Sequence, residues 1–298
     1  MAFSHSIEDY PQGIILPIDK PYTWTSADVI RKIKWAATHH FAKKNLKVGH
    51  AGTLDPLATG ILLVCLGNAT RKAEELQRSS KEYIAGITFG AVTPSYDLEK
   101  PLQDFSAPGK DFTKEKLLEV LERFKGEQDQ VAPLFSAKSI DGVRAYEMAR
   151  ALYKKRDEHP DADFSLLSTS RITIHSLELL SLDAGLPRNI IPDPSVPAEM
   201  QLRAMDPQAL CVDGRYADTG DGRIRVSSIP QERAGELQTA LIRVSCSKGT
   251  YIRSLARDLG EAMGTGAFLS SLRRTGNGGF GIGDALSLED ALKMLAKD

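Results

Sequence analysis

A twelve-residue segment at 49–60, GHAGTLDPLATG, concentrates side chains that could do chemistry. It contains His50, three glycines and the carboxylate of Asp55. Pro56 disfavours helical backbone at the residue before it, so Asp55 is expected on a rigid, extended bend, where a carboxylate could act as a nucleophile or a base. An aspartate before a proline is also a common turn or helix-capping residue whose oxygens bind backbone N–H groups. The spacing alone leaves both interpretations open.

A second segment at 246–260, CSKGTYIRSLARDLG, could supply a cationic partner for that carboxylate. A strand that runs through Gly-Thr-Tyr into a helix would present Arg253 close to the start of the helix. Pairing with Arg253 would favour the ionised form of Asp55 and fix its side-chain rotamer. Alternatively, Arg253, Arg257 and Asp258 form ion pairs on the surface of an ordinary helix, which stabilise a protein little.

The elements that must position these two segments are strands and helices that alternate irregularly along the chain. A capping box at Thr25 and Asp28 marks the start of the first helix. Residues 48–60 are interpreted as a loop, and residues 97–110 as an exposed segment. Strands are predicted at 14–18, 61–66, 83–89, 171–182, 240–246 and near 279–282, and helices at 26–38, 69–79, 114–124, 142–155, 251–263 and 287–296. The inward side chains of the helix at 114–124 are predicted to be Leu117, Leu118, Val120 and Leu121.

The order of these elements predicts an α/β (α+β) fold built on a mixed sheet. The chain lacks the regular βαβ rhythm of a doubly wound sheet, and it contains no G-x-G-x-x-G or Walker motif. We expect one catalytic domain over 13–298, preceded by an N-terminal tail at 1–12. Residues 184–238, rich in Pro, Asp and Gly, are interpreted as an insertion or excursion of the chain that is either partly disordered or carries a small hairpin near 212–226.

Composition excludes several classes of protein. No apolar run approaches the roughly 18 residues that span a bilayer, and the N-terminus does not resemble a signal peptide, so we expect a cytoplasmic protein. The three cysteines are far apart and no metal-ligand spacing occurs, so neither a disulfide framework nor a metal site is expected. The net charge of -1 argues against a generic polyanion binder.

A local basic run at 31–47 stands out against this neutral background. It contains six lysines and arginines and no acid. The run could be an ordinary solvated helix face, or it could be a patch for RNA phosphates. Its cations are Arg31, Lys32, Lys34, Lys43, Lys44 and Lys47.

Five motifs together resemble the TruB family of tRNA pseudouridine synthases, and they occur in that family's order. They are GHAGTLDPLATG from Gly49, KEY from Lys81, SAKSIDGVRAYEMAR from Ser136, CSKGTYIRSLARDLG from Cys246 and LRRT from Leu272. The resemblance covers about 13–182 and 240–282. It implies the pseudouridine synthase fold, whose central mixed, mostly antiparallel sheet is flanked by helices. It also implies isomerisation of uridine 55 in the T loop of tRNA to pseudouridine, without metal or cofactor.

The resemblance assigns roles to residues that match these motifs. Asp55 is similar to the catalytic aspartate and Arg253 to its ion-pair partner. Tyr83 resembles the aromatic residue that stacks on the target base and could take the proton from C5. Substrate-binding positions are matched by His50, Tyr251, Leu272 and Arg273, and contacts with the RNA backbone are expected from Lys43, Lys44, Lys47, Arg273 and Arg274. Each could instead be a packing or turn residue if taken alone.

Two departures from the family pattern limit what the resemblance implies. The lysine of the family's Ser-Ala-x-Lys lies one place early, at Lys138, so Lys138 is given no role. About two dozen residues follow LRRT, too few for a complete C-terminal PUA domain, so affinity for RNA is expected from the catalytic domain of a monomer.

Two alternatives stay open: a tRNA-folding chaperone that acts on the T arm without catalysis, and a synthase for other RNA in a guide-dependent particle.

Overall fold

One mixed sheet forms the centre of the molecule. The computed structural model describes residues 3–133, 139–140, 143–144, 169–184, 227 and 231–296. Its strands are β1 (Ile14–Lys20), β2 (Val48–Ala51), β3 (Ala58–Leu66), β4 (Lys81–Phe89), β5 (Gly126–Val131), β6 (Ser139–Ile140), β7 (Val143–Arg144), β8 (Thr169–Ala184), β9 (Gln238–Cys246), β10 (Ala267–Asn277), β11 (Phe280–Gly281) and β12 (Leu286–Ser287).

The strand order of the main sheet is β12-β1-β3-β10-β4-β9-β8-β5, with β2 paired to β3 and β11 to β10. Two pairings are parallel, β1 with β12 and β3 with β10, and the other described pairings are antiparallel. This confirms the predicted mixed, mostly antiparallel sheet.

Helices flank the sheet, as expected. They are α1 (Ser26–His40), α2 (Ala73–Arg78), α3 (Lys114–Arg123), α4 (Gln231–Ala234), α5 (Ile252–Met263) and α6 (Leu288–Met294), with short 3-10 helices at Ile7–Asp9, Gly67–Lys72 and Ile282–Asp284. The capping box at the start of α1 is confirmed: the hydroxyl of Thr25 accepts from the backbone N–H of Asp28, whose carboxylate accepts from the N–H of Thr25. Among the described residues, no helix is long and apolar enough to cross a membrane.

Three predictions about strands were wrong. The 48–60 loop is shorter than expected, because β2 pairs antiparallel with β3 and β3 already begins at Ala58. Strand β10 was not predicted at all, although it lies between β3 and β4 in the middle of the sheet. The alternation of Tyr83, Ala85, Ile87 and Phe89 with smaller or more polar neighbours predicts a half-buried strand. Strand β4 is instead buried on both faces, because the main core and satellite apolar contacts cover its two sides.

Three further predictions differ from the structure in detail. Leu118 is exposed rather than inward, because it lies outside the buried Leu117, Val120 and Leu121 stripe of α3. The 97–110 segment is not exposed throughout, since Asp97 and Leu98 are buried. The start of the predicted 142–155 helix is instead the strand β7, paired with β6.

The N-terminal residues that were predicted to form a tail are in contact with the rest of the protein, whereas several other predictions concern residues outside the described part of the chain. Residues expected to form a tail pack on the core, where Ile7 is buried and Ser4 offers its carbonyl to His40 Nε2. The rest of the predicted 142–155 helix, the predicted hairpin at 212–226 and most of 184–238 lie outside the described residues, as does Lys138.

Candidate active site

Asp55 and Arg253 meet in a two-pronged ion pair. Arg253 Nε lies 2.8 Å from Asp55 Oδ2, and Arg253 Nη2 lies 3.0 Å from Asp55 Oδ1. The side chain of Arg253 is 6% exposed, whereas that of Asp55 is 37% exposed. The guanidinium therefore holds both oxygens of the carboxylate from the protein interior. The carboxylate remains open to a molecule that approaches from solvent.

Asp97 is a second carboxylate on the same arginine, and no sequence motif points to it. Its Oδ2 lies 3.7 Å from Arg253 Nε, and its Oδ1 accepts hydrogen bonds from Ser95 Oγ at 2.6 Å and Glu99 N at 3.0 Å. Arg253 Nη1 also donates to the carbonyl of Ser95. The turn at 95–99 therefore fixes the guanidinium from behind.

The charges around Arg253 are strongly coupled. Burial opposes its charge, but the carboxylates of Asp55, Asp97 and Glu99 together raise the pKa of Arg253 above its ordinary value. Burial raises the pKa of Asp97, and Arg253 acts in the opposite direction. The arginine therefore stays charged at all relevant pH values and remains a cationic partner for the Asp55 carboxylate.

Asp97→Asn should lower kcat by roughly tenfold with little change in KM, because the amide keeps the hydrogen bonds of the turn but no longer attracts Arg253. Single-turnover kinetics on an RNA substrate would measure this. The control is Asp104→Asn, which changes an exposed carboxylate in the same 97–110 segment. Equal effects of the two substitutions would contradict the positioning role of Asp97.

The backbone around Asp55 is fixed by two polar side chains. Ser26 Oγ bonds both the N–H and the carbonyl of Leu54. Lys20, which is fully buried, donates to the carbonyl of Pro56 at 3.1 Å. Burial lowers the pKa of Lys20 to about 7, and Asp55 acts in the opposite direction. The bend predicted from Pro56 is therefore held on both sides of the carboxylate.

Arg274 fixes the approach to this bend. Its Nε donates to the carbonyl of Ile61 at 2.7 Å, and its Nη2 donates to the carbonyl of Gly52 at 2.9 Å. Gly52 and Gly60 both have left-handed backbone, with φ of 91° and 95°. A Cβ on Gly60 would lie 2.2 Å from the carbonyl oxygen of Arg274, so β3 and β10 can approach here only because residue 60 is glycine.

A narrow cleft opens beside the Asp55 carboxylate. Its walls are Leu57, Ala58, Asp97 and the segment 269–272 of β10, which includes Leu272. Tyr83 lies on β4 and is paired there with Arg274 of the neighbouring strand β10. Tyr251 precedes α5 as its N-cap and is held by Gln130, which bonds both its N–H and its carbonyl. The cleft thus has mixed apolar and carboxylate walls.

Two ring side chains near the site have shifted acidity. Burial raises the pKa of Tyr83, and Arg274 acts against this shift, so its phenol is protonated near neutral pH. Burial and the charge of Arg274 lower the pKa of His50, so its imidazole is neutral there. Within the described part of the chain, the buried Nδ1 of His50 has no hydrogen-bond partner.

The structure contradicts the expectation that Arg273 and Arg274 contact the RNA backbone. Arg274 is 1% exposed and donates to backbone carbonyls. Arg273 is buried and pairs with both oxygens of Asp19, at 3.1 and 3.0 Å. Arg273 also has no described contact with the cleft. Both arginines hold strands together, and neither presents its guanidinium to solvent.

The cations of the basic run are placed differently from these arginines. Lys43, Lys44 and Lys47 are exposed, and Lys43 pairs with Glu8 at 2.6 Å. They follow the C-terminal end of α1 and precede β2. The run is therefore available at the surface.

Sequence reasoning missed Asp97, Lys20 and Gln130 as parts of this site. Asp97 lies in a polar segment that has no apolar periodicity. Its partner Arg253 is 156 positions further along the sequence, from 97 to 253. Lys20 could have been suspected from its place at the end of an apolar strand, where a charged residue needs partners. In the described part of the chain, no group of three or more His, Cys, Asp or Glu side chains could hold a metal ion.

Two segments of the chain match models of known protein families. The model of the N-terminal domain of TruB family pseudouridylate synthases matches residues 39–188. The model of the C-terminal domain of tRNA pseudouridylate synthase B matches residues 253–298.

Curated proteins called tRNA pseudouridine synthase B align along most of the chain. The protein of Phocaeicola vulgatus is 38% identical over 281 residues, which cover 94% of this chain and 92% of that protein. The protein of Flavobacterium johnsoniae is 36% identical over 282 residues, which cover 94% and 95%. The protein of Deinococcus deserti is 36% identical over 276 residues, which cover 93% and 77%.

Solved structures share the fold. A chain of a Cbf5-Nop10-Gar1 complex superposes with a TM-score of 0.55 at 25% identity, covering 96% of this chain and 56% of that chain. A chain of an H/ACA RNP bound to a substrate RNA containing 2'-deoxyuridine gives a TM-score of 0.52 at 24% identity, covering 98% and 57%. This chain spans little more than half the length of these solved chains. The likeness supports the predicted fold.

Proposed function

The chain belongs to the TruB family of pseudouridylate synthases, and from this premise we propose that it converts uridine 55 in the T loop of tRNA to pseudouridine. The observation that carries the proposal is the Asp55 carboxylate, held at both oxygens by the buried Arg253 and still open to solvent. Its relatives in Phocaeicola vulgatus and Flavobacterium johnsoniae are called tRNA pseudouridine synthases, which supports tRNA as the substrate.

Asp55 is the proposed catalytic carboxylate. The reaction breaks the bond between N1 of uracil and C1' of the ribose, forms a bond between C5 and C1', and transfers the C5 proton away while N1 gains one. Asp55 can begin it either by attacking the sugar or by removing the 2' proton. Both routes need a carboxylate of fixed orientation, which the two-pronged contact with Arg253 provides.

The uracil must leave the RNA stack to reach Asp55. Extrusion of a stacked base costs a few kcal/mol, and stacking on an aromatic ring offsets part of that cost. We assign this stacking to Tyr83, and the confinement of the detached base to Tyr251 and Leu272. For Tyr83 to accept the C5 proton, its phenol must first be deprotonated, which burial opposes and Arg274 favours. A confined site also excludes water from the intermediate.

The exposed lysines Lys43, Lys44 and Lys47 are the proposed contacts to phosphates of the T arm. Reversing all three charges to Glu should weaken tRNA binding at low salt and reduce the slope of log affinity against log salt by about two to three, since each phosphate contact contributes about 0.7 to 0.9. Filter binding across a salt series measures both quantities.

A control with the same change in net charge separates local contact from general repulsion. It reverses Lys110, Lys114 and Arg123, three exposed cations in and before α3. If both triple variants bind tRNA equally weakly, the lysines of the basic run make no specific contact.

The reaction class can be tested through the hydrogen on C5. An unmodified tRNA transcript labelled with tritium at C5 of its uridines is incubated with the enzyme, and the tritium released to water is counted. Release of about one tritium per tRNA supports isomerisation of a single uridine. Binding of tRNA without any release would instead support an RNA-folding role without catalysis.

A further inference from the structure

Trp35 is the most exposed large apolar side chain in the part of the chain that the structure describes. It is 66% exposed, compared with 43% for Leu118 and 39% for Val131. It lies on α1, whose opposite face buries Val29 and Ile33 in the core. Core packing therefore does not use the indole, which is left accessible at the surface of α1.

The surroundings of Trp35 are cationic. Arg31, Trp35 and His39 are spaced four residues apart and form one stripe along α1, called here the Trp35 stripe. The rings of Trp35 and His39 lie 4.5 Å apart with planes inclined by 41°. Lys32 and Lys34 are exposed and precede Trp35 by three positions and one position, so helical geometry places them on opposite sides of the indole around α1. The indole is therefore presented within a field of positive charge.

One acidic residue of α1 faces this stripe. Asp28 pairs with Arg31 at 3.0 Å, but the side chain of Arg31 remains 66% exposed. His39 Nδ1 is hydrogen-bonded to the carbonyl of Trp35, which leaves Nε2 towards the surroundings. The stripe and its flanking lysines therefore keep a positive excess after these contacts are taken into account.

This combination favours a nucleic acid over a protein as the occupant. The buried centres of protein interfaces are depleted of charged residues, whereas here cations flank the aromatic ring. Sites for unpaired nucleotides combine a basic surface with an aromatic ring on which a base stacks. The composition of the Trp35 stripe has that form.

The stripe lies within reach of an RNA that is bound at Asp55. Ser26 at the start of α1 bonds Leu54, the neighbour of Asp55. Trp35 follows Ser26 by nine residues, which is about 14 Å along a helix axis. That distance is less than half of one turn of a nucleic-acid duplex, about 34 Å. An RNA stem-loop could thus occupy both places at once.

We propose that Trp35 is an auxiliary RNA contact on which an unpaired nucleobase of the bound tRNA stacks, while Lys32 and Lys34 contact the adjoining phosphates. The inference rests on the proposed function, since it requires tRNA at Asp55. It adds a stacking contact outside the catalytic cleft. Affinity for RNA then has a component that salt does not screen.

The protein's own fluorescence gives a direct test, because the chain contains two tryptophans, Trp24 and Trp35. In the full-length Trp24→Phe variant, all tryptophan emission comes from Trp35. Titration with an unmodified tRNA transcript should quench this emission saturably, with the midpoint that filter binding gives for the same variant. Emission that stays constant while filter binding reports a complex would overturn the proposal.

Affinity provides an independent measurement. Trp35→Ala should weaken tRNA binding roughly tenfold at constant salt and leave the salt slope unchanged, because stacking releases no counterion. Leu118→Ala, at the other exposed apolar side chain on a described helix, is the control and should bind as the wild type does. Thermal unfolding of both variants shows whether the substitutions affect the fold. Unchanged affinity in folded Trp35→Ala protein would overturn the proposal.

Two outcomes separate this inference from the proposed function. Normal tritium release by the wild type, together with unquenched Trp35 emission, leaves the proposed function in place and removes the stacking contact. Failure of the wild type both to bind tRNA and to release tritium removes both. A change of Trp35 emission with protein concentration, in the absence of RNA, would show a self-association surface and also overturn the proposal.

Discussion

Asp55→Asn is expected to abolish pseudouridine formation while tRNA affinity stays nearly unchanged. Asparagine has the same shape and can still accept a hydrogen bond from Arg253, but its amide is neither a nucleophile nor a base. The loss of rate should be roughly 10⁴-fold or more, as for other essential catalytic groups. Single-turnover tritium release, with enzyme in excess, measures the rate without interference from product release.

The matched control is Asp258→Asn, which removes a carboxylate that pairs with Arg257 on α5. It breaks an arginine–aspartate pair on the same helix without touching the cleft, so its rate should equal that of the wild type. If Asp55→Asn retained a rate within tenfold of the wild type, Asp55 could not be the catalytic carboxylate.

Arg253→Lys is expected to reduce kcat on the order of 10²-fold, the effect of a small displacement of a catalytic group. Lysine keeps the positive charge but lacks the planar fork that now binds both oxygens of Asp55. The Asp55 carboxylate should keep a cation beside it but lose its fixed orientation. Arg257→Lys, one turn further along α5, is the matched control and should leave kcat close to the wild-type value.

Arg253→Met should in addition destabilise the protein by about 3–5 kcal/mol, because it leaves the buried Asp97 without its cation. Burial already raises the pKa of Asp97, and loss of Arg253 raises it further. The folded variant then binds a proton that the unfolded chain releases, so its stability falls as pH rises through that pKa. Urea unfolding should therefore show the smallest deficit at acid pH. A deficit independent of pH would contradict this account of Asp97.

Local signals in the sequence were sufficient for the elements that frame the site. The capping box at Thr25 and Asp28 fixes the start of α1, and the apolar run at 61–66 predicts most of β3. Pro56 restricts the backbone at Asp55 itself, so the bend could be expected before the structure was known. Each of these signals acts between residues close together in the chain.

Strand β10 could not be read from the sequence because it is buried through polar as well as apolar residues. Ser270, Arg273 and Arg274 interrupt any apolar pattern, yet all three are buried. Ser270 bonds Thr88 and Gly86 of β4, and the two arginines pair with Asp19 and with backbone carbonyls of the 52–61 region. The environment of β10 depends on strands that are distant in sequence. A periodic pattern of apolar residues within one segment does not contain that information.

Only those residues of the candidate site that lie within the sequence motifs could be predicted. Pattern alone left Asp55 and Arg253 undecided between chemistry and ordinary turn or surface roles, and the resemblance joined them. Asp97 has no such signal, since its burial results from the 95–99 turn folding onto Arg253. Arg274 was misread as a surface cation because a buried arginine cannot be recognised before its carbonyl partners are known.

The most direct test of the account is to locate pseudouridine in an unmodified tRNA transcript by carbodiimide-dependent primer extension, with wild type and Asp55→Asn side by side. We predict one reverse-transcription stop at the T-loop uridine 55 with the wild type and none with the variant. A stop at another position would contradict the proposed site in tRNA. An equal stop with Asp55→Asn would contradict the proposed role of Asp55.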